Sequence, residues 1–578
     1  MRIKKDIHSK PSPPISKKNR QKIIFSVCLV FVITFISFFP SLKNGFVNFD
    51  DHQYVTENRM IMDLSWGNIK TIFKTFYMGH YHPLTLLSYW LEYQSFQLNP
   101  SAYHTTNLIL HLSNSLLVFW LIGLLRGSLL TSFIVALLFG IHPLHVESVA
   151  WISERKDVLY SFFFLGSMIS YLYFRRARRT MYYYLSLFLF ILSLLSKSMA
   201  VTLPLVLFLC DYLQNQKLDK KPLIEKIPFL FIALVFGIIA LFAQGPSRTV
   251  GQNTSLSFFE NIFIFSNVLV SYLSKLFLPI KLSALYSPLN EISRPWQYVH
   301  LSSIVGFLTV GIILGKYNKK VTIGTLLSFI TILPVLPLKI VADRYTYIPS
   351  LGIFFIIGDG FCWLYHWKIG HSKIVKTFLS IVLIGVIGAL SFLTWERCRV
   401  WKDSISLWND VLRNNPNILI AYIDRGTAFL NKREYDRAIS DYNWALGMNP
   451  SDEKVSSVYN NRGNAYAGKG LYDQALSDFS KALEMNPKYE VAYSNRGNTY
   501  YAKRLYEQAI SDFNKALEIN PNYAEAYFNK ALALEDIGRT REAIEAYSKF
   551  IEYASPQYAK HIQHARKKIK ELYPQSFK

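Results

Sequence analysis

Asp50 and Asp51 close the stretch NGFVNFDD (residues 44–51), shortly beyond an apolar run long enough to cross a bilayer. Adjacent acids in a link are commonly a solvated turn or a helix cap. Beside a membrane, and facing cations, they have the makings of group transfer from a lipid phosphate. A carboxylate can take the proton of an attacking hydroxyl, a role worth ~10²–10⁴-fold in rate. Cations can hold the departing phosphate as its charge develops. Arg155, Lys156, Lys197 and Arg344 are the candidate cations, and snorkelling toward headgroups is their alternative role. The stretch LHVESVAWISERKD adds His145, Glu147 and Asp157 directly after His142 and Pro143. His142, His145 and Glu147 are types that bind zinc or manganese. Pro143 interrupts their shared face, however, and the spacing is not H-E-x-x-H. Polar packing or substrate contact is the expected role, and no metal or other cofactor is assigned.

These residues must be positioned by helices. The chain has 578 residues, and from residue 22 to about 394 it reads as apolar runs separated by short polar links. Eleven spans are expected, at 22–40, 105–125, 128–143, 157–174, 181–196, 198–213, 228–244, 299–315, 321–341, 349–366 and 374–394. Residues 256–280 are apolar enough to form another. A full crossing there would reverse the side of GKYNKK, so a broken or re-entrant helix is expected.

The formal net charge of +24 is carried largely by MRIKKDIHSKPSPPISKKNRQK, FRRARRT, KLDKKPLIEK and GKYNKK. Placed on one side, these segments give the positive-inside pattern, which argues for a bilayer partner and against nucleic acid. The links 41–104, 144–156, 245–298 and 342–348 then lie outside the cytoplasm with most of the acids and cations named above. His104, Asn107, His111 and Asn114 line one face of a single span, either bonding neighbouring helices or lining a groove toward the outer residues. The four cysteines have no metal-like spacing.

Beyond residue 400 a 34-residue period takes over: NRGNAYA begins at Asn461 and NRGNTYY at Asn495, and Pro416 and Pro450, then Pro487 and Pro521, keep the same interval. Small residues and aromatics fill the tetratricopeptide (TPR) pattern. The expected organisation is a basic cytoplasmic tail (1–21), a helical membrane domain (22–397), a capping half repeat (398–416), a four-repeat solenoid (417–555) and a terminal helix or tail (556–578). The fold class is all-α: a polytopic transmembrane helix bundle followed by a TPR α-solenoid. Asn461, Asn495 and Asn529 recur at one register position and could grip the backbone of an extended polypeptide, or bond helices within each repeat.

NGFVNFDD, YHPLTLLSYWL, NPSAYHTTNLILHLSN, HPLHVESVAWISERKDVL, SKSMAVTLPLVLFLCD and ADRYTYIPSLGIFF follow one another in order. The set resembles the multi-span, TPR-containing glycosyltransferases of the GT-C class, which include eukaryotic transmembrane-and-TPR protein O-mannosyltransferases and bacterial relatives. The resemblance implies a polyprenyl-phosphate sugar donor and a base at Asp50 or Asp51, with Asp51 narrowly preferred. It also implies a second outer loop at His145, Glu147, Arg155 and Asp157. SERKD stands where the eukaryotic enzymes carry Gly-Arg-Ala-Asp-like residues, which leaves the sugar open, mannose included. The expected function is transfer of that sugar to a hydroxyl of an extracytoplasmic protein held by the TPRs. A non-catalytic membrane-anchored TPR scaffold, or a transferase acting on a lipid or polysaccharide, are the alternatives. The host membrane would be a bacterial inner membrane or the endoplasmic reticulum, with the TPRs on the outer or lumenal side.

Overall fold

A computed structural model describes residues 16–62, 65–125, 127–214, 220–245, 258–286, 294–367, 372–448, 451–555 and 558–573. Among these residues the regular elements are helical, apart from one isolated bridge between Tyr77 and His80. The chain forms two compact units, residues 1–410 and 411–578.

Among the described residues of the first unit, seven helices are long and apolar enough to cross a membrane: Lys17–Lys43, Pro100–Leu124, Ile152–Ala177, Pro222–Ala243, Pro295–Tyr317, Lys319–Leu338 and Lys373–Val400. The bent pair Leu129–Ile141 and Pro143–Ala150 makes an eighth if read as one span. Thr180–Ser196, Ser198–Leu213 and Ser350–His366 are apolar but shorter. Each of the eleven expected segments therefore carries a helix, but four fall below the spanning length taken alone, Leu129–Ile141 reaching it only with its bent partner. Of the broken or re-entrant helix expected at 256–280, the break is not found among the described residues. Phe258–Phe277 is one unbroken helix, and its sequence contains neither the proline nor the glycine that would interrupt it.

Helix starts follow local chemistry. Asn99 accepts from Ser101 N at 3.2 Å just before Pro100, and Ser128 accepts from Thr131 N at 3.1 Å ahead of Leu129. The polar stripe on Pro100–Leu124 is fully buried. Asn107 donates to the carbonyls of Val149 and Trp151, and Asn114 to Val158 O and the Tyr347 hydroxyl. His111 bridges the Tyr347 hydroxyl and Gly140 O at 2.7 and 3.0 Å. The stripe bonds neighbouring segments instead of lining a groove, as an apolar surround requires of buried polar groups. Elsewhere in the unit, Arg175 pairs with Asp211 and Glu225, and Asp211 also pairs with Lys226.

The second unit consists of helix pairs Leu419–Asn431/Tyr435–Gly447, Asp452–Gly468/Tyr472–Met485, Glu490–Ala502/Tyr506–Ile519 and Ala524–Asp536/Thr540–Tyr553, followed by Ala559–Leu572. A Cβ at Gly426, Gly463 or Gly497 would come within 2.8 Å of Tyr442, Phe479 or Phe513 respectively, which is why small residues recur at this register. Arg425, Arg462 and Arg496 each hold an acid sixteen positions on, Asp441, Asp478 and Asp512, through paired N–H donors at 2.7–2.8 Å. The helix Ser404–Asn414, expected as a capping half repeat, straddles the division between the units.

Candidate active site

The stretch 44–51 is held along its length. Asn44 donates to Cys398 O at 3.0 Å, Gly45 N to Lys402 O at 2.9 Å, and Asn48 N to Ser404 Oγ at 2.9 Å. Trp408 donates to Asn48 Oδ1 at 2.7 Å. The Phe49 ring stacks on Trp151 at 4.5 Å, and Trp151 Nε1 donates to Phe49 O. Most of the motif is thus a docking strip that fixes the backbone carrying the two acids.

The acids part company there. Asp51 is buried and accepts from Val47 N and Ser153 N, both at 3.0 Å, and from the Ser153 hydroxyl. Burial nonetheless pushes its carboxyl up to about 7, against the pull of these donors. Asp50 adopts a left-handed backbone, φ 67°, uncommon for a residue with a side chain. That turn aims its carboxylate into a cavity of about 180 Å³. Among the described residues it makes no hydrogen bond or ion pair. Burial raises its pKa, partly offset by Lys156 and Arg344. The structure thus separates the pair: Asp51, the acid narrowly preferred from the sequence, is bonded within the loop, and Asp50 is the acid that borders the cavity.

Lys156, Lys197 and Arg344 border the same cavity with Glu154, Tyr54 and Tyr345. Glu154 is their hub, lying 3.1 Å from Lys156 Nζ, 3.3 Å from Arg344 Nε and 3.5 Å from Lys197 Nζ. Outside the cavity wall, Asp157 pairs with Lys197 and accepts from Ser148, while Glu147 pairs with Arg344 and accepts from its backbone N–H. The three cationic side chains keep 11–15% exposure, against 2% for Glu154. Their charged ends are open to the cavity while carboxylates hold them from behind. Tyr54, Tyr345 and Trp151 offer ring faces to Lys156, Lys197 and Arg344 respectively.

Three predicted residues stand apart from this group. Arg155 is fully buried, pairs with Glu92, and donates to Asn107 Oδ1 and Tyr103 O. His142 accepts from Leu144 N and shares a hydrogen bond with Leu276 O. His145 is held by Phe139 O and the Ser350 hydroxyl. With both ring nitrogens engaged, the two histidines anchor the bend between helices. Among the described residues no three His, Cys, Asp or Glu side chains are grouped to hold a metal ion. The sequence reading passed over His80 and His82, which also border the cavity; the pattern GHYHP was their signal.

In the second unit, Asn495 and Asn529 border a groove of about 310 Å³ together with Asn498, Tyr523, Phe528 and Tyr558. Asn461 does not border it; it accepts from Asn460, which in turn accepts from Asn495 at 3.0 Å.

Fold and site define a multi-pass helical membrane protein with a charged cavity in its first unit, followed in the chain by a TPR unit. Tetratricopeptide repeat profiles match residues 456–489, 491–523 and 513–545. Across about three-quarters of its length the chain is similar to protein O-mannosyl-transferases. TMTC3 of Homo sapiens is 24% identical over 483 residues, covering 74% of this chain and 52% of that protein. F38B6.6 of Caenorhabditis elegans, also a protein O-mannosyl-transferase, is 25% identical over 490 residues, covering 78% and 68%. The chain thus spans about half the length of the first of these relatives. Among solved structures, MamA is 23% identical over 26% of this chain and 86% of that one, with a TM-score of 0.24. YrrB, a TPR protein with an unusual peptide-binding site, is 19% identical over 33% and 91%, also at 0.24.

Proposed function

We propose that this chain is an integral-membrane glycosyltransferase that moves a sugar, mannose being favoured by its relatives' names, from polyprenyl phosphate to a hydroxyl of a protein. One observation carries the reading: Asp50, a carboxylate with no hydrogen bond or ion pair among the described residues, shares a single cavity with Lys156, Lys197 and Arg344. In the proposed step Asp50 accepts the proton of the acceptor hydroxyl. The freed oxygen bonds to the anomeric carbon as the bond from that carbon to the phosphate oxygen breaks. Polyprenyl phosphate leaves with the electron pair, its charge met by the three cations. Donor binding requires little rearrangement of these cations, because Glu154, Asp157 and Glu147 already fix them.

On this reading the cavity opens on the extracytoplasmic or lumenal side, opposite the basic links, and the Asn495–Asn529 groove takes the polypeptide acceptor. A scaffold without catalysis leaves the cavity and its unpaired carboxylate without a use. The test is transfer from polyprenyl-phosphate mannose to a peptide acceptor by the purified full chain. Asp50→Asn should reduce turnover by at least ~10²-fold while the lipid phosphate still binds. Full turnover in that variant would refute the assignment. Inhibition by a polysaccharide or glycolipid, but not by polypeptide, would move the acceptor to those classes.

A further inference from the structure

His82 is 3% exposed, and neither ring nitrogen has a hydrogen-bond partner among the described residues. An imidazole so buried and unpartnered is uncommon in a folded chain and asks for a reason. Its ring borders the cavity that holds Asp50 and the three cations. The backbone on both sides is rigid. Tyr77 and His80 exchange backbone hydrogen bonds at 2.9 and 3.0 Å across a tight turn at Met78 and Gly79, whose φ values are 48° and 72°. His82 then caps the helix Pro83–Phe96, its carbonyl accepting from Thr85 N and Leu86 N. The His80 ring, on the same cavity wall, lies 6.0 Å from the His82 ring, and Tyr54 packs against His82 at 5.5 Å.

We propose that His82, with His80 beside it, is the carbohydrate-recognising wall of this cavity, taking hydroxyl groups of the donor sugar while Lys156, Lys197 and Arg344 take the phosphate. Burial and the nearby lysines hold His82 well below the ordinary histidine pKa, so it offers one donor nitrogen and one acceptor nitrogen. A sugar hydroxyl both donates and accepts, and matches that pair. A phosphate group only accepts, and is better met by ammonium and guanidinium groups. The inference rests on the sugar-transfer reading and adds to it the group that distinguishes a glycosylated lipid phosphate from a bare one.

Binding to the purified full chain of two lipids, polyprenyl-phosphate mannose and polyprenyl phosphate, separates the possibilities. His82→Phe keeps the ring volume and removes both polar atoms. It should weaken the mannosylated lipid about tenfold or more and leave the bare lipid phosphate unchanged. His82→Gln, which restores a donor and an acceptor, should recover part of that loss. Equal weakening of both lipids by His82→Phe, or no change in either, would overturn the recognition role while leaving sugar transfer standing. Failure of the unaltered chain to bind the mannosylated lipid more tightly than the bare one would overturn both.

Discussion

At the scale of the residue, the two neighbouring acids predict opposite consequences for the same substitution. Asp50 has no hydrogen-bond donor to satisfy among the described residues and faces the cavity, so Asp50→Asn should leave thermal stability close to that of the parent and remove turnover. Asp51 accepts three hydrogen bonds that lock the loop to Ser153 and Val47. An amide in its place sets an N–H against an N–H at one of them. Asp51→Asn should therefore cost about 1–3 kcal/mol of stability, read by thermal or denaturant unfolding in detergent, and lower activity only through that loss. The pH profile supplies an independent check. Burial raises the Asp50 pKa above the ordinary 3.8, and a base must be ionised to act. The rate should thus fall as acid is added, with a midpoint above that value, on the acid limb of kcat/KM. A profile flat to about pH 4 would count against Asp50 as base.

At the scale of the element, consecutive cations divide between architecture and site. Arg155 and Lys156 are neighbours in sequence, yet Arg155 spends its planar fork on Glu92, Asn107 and the Tyr103 carbonyl, tying Pro83–Phe96 and Pro100–Leu124 to the start of the next span. A lysine cannot reproduce that fork. Arg155→Lys should therefore lower stability by about 3 kcal/mol or more, because Glu92 and Asn107 are left incompletely satisfied in a buried setting. Lys156→Ala should instead weaken binding of the lipid phosphate with a smaller stability change; unfolding curves set beside binding curves distinguish the two. This division was not legible in the sequence. The motif SERKD announces charge but not direction, and direction depends on where the helix begins: Arg155 and Lys156 lie in its first turn, one rotated from the other by about 100°. The stripe His104, Asn107, His111 and Asn114 was legible as a face, because 3.6-residue spacing alone decides that. Which neighbour the face meets depends on tertiary contacts from Gly140, Val149 and Tyr347, far away in the chain.

At the scale of the whole molecule, the apolar runs and the 34-residue period announced their helices plainly, since each is a local pattern repeated many times. The cavity was less so. Asp50, Lys156, Lys197 and Arg344 come from four separate stretches of chain, and only their shared expected side of the membrane linked them beforehand. His82 had only the short pattern GHYHP to mark it, and its place on the cavity wall depends on tertiary packing. The two units also assign different jobs, and so a kinetic experiment can separate them. On the proposed function, chemistry belongs to the cavity in the first unit and polypeptide capture to the Asn495–Asn529 groove in the second. Asn495 donates to Asn460 and so has some local structural work, whereas Asn529 borders the groove with no side-chain hydrogen bond among the described residues. Asn529→Ala should raise KM for a long polypeptide acceptor about threefold to tenfold, the loss of one or two hydrogen bonds to its backbone. It should leave kcat unchanged, and leave transfer to a short hydroxyl acceptor unaffected, because that acceptor has no polypeptide backbone for the groove to hold. A kcat loss shared by both acceptors would place Asn529 in the folding of the repeats, and an unchanged KM for the long acceptor would take polypeptide capture away from this groove.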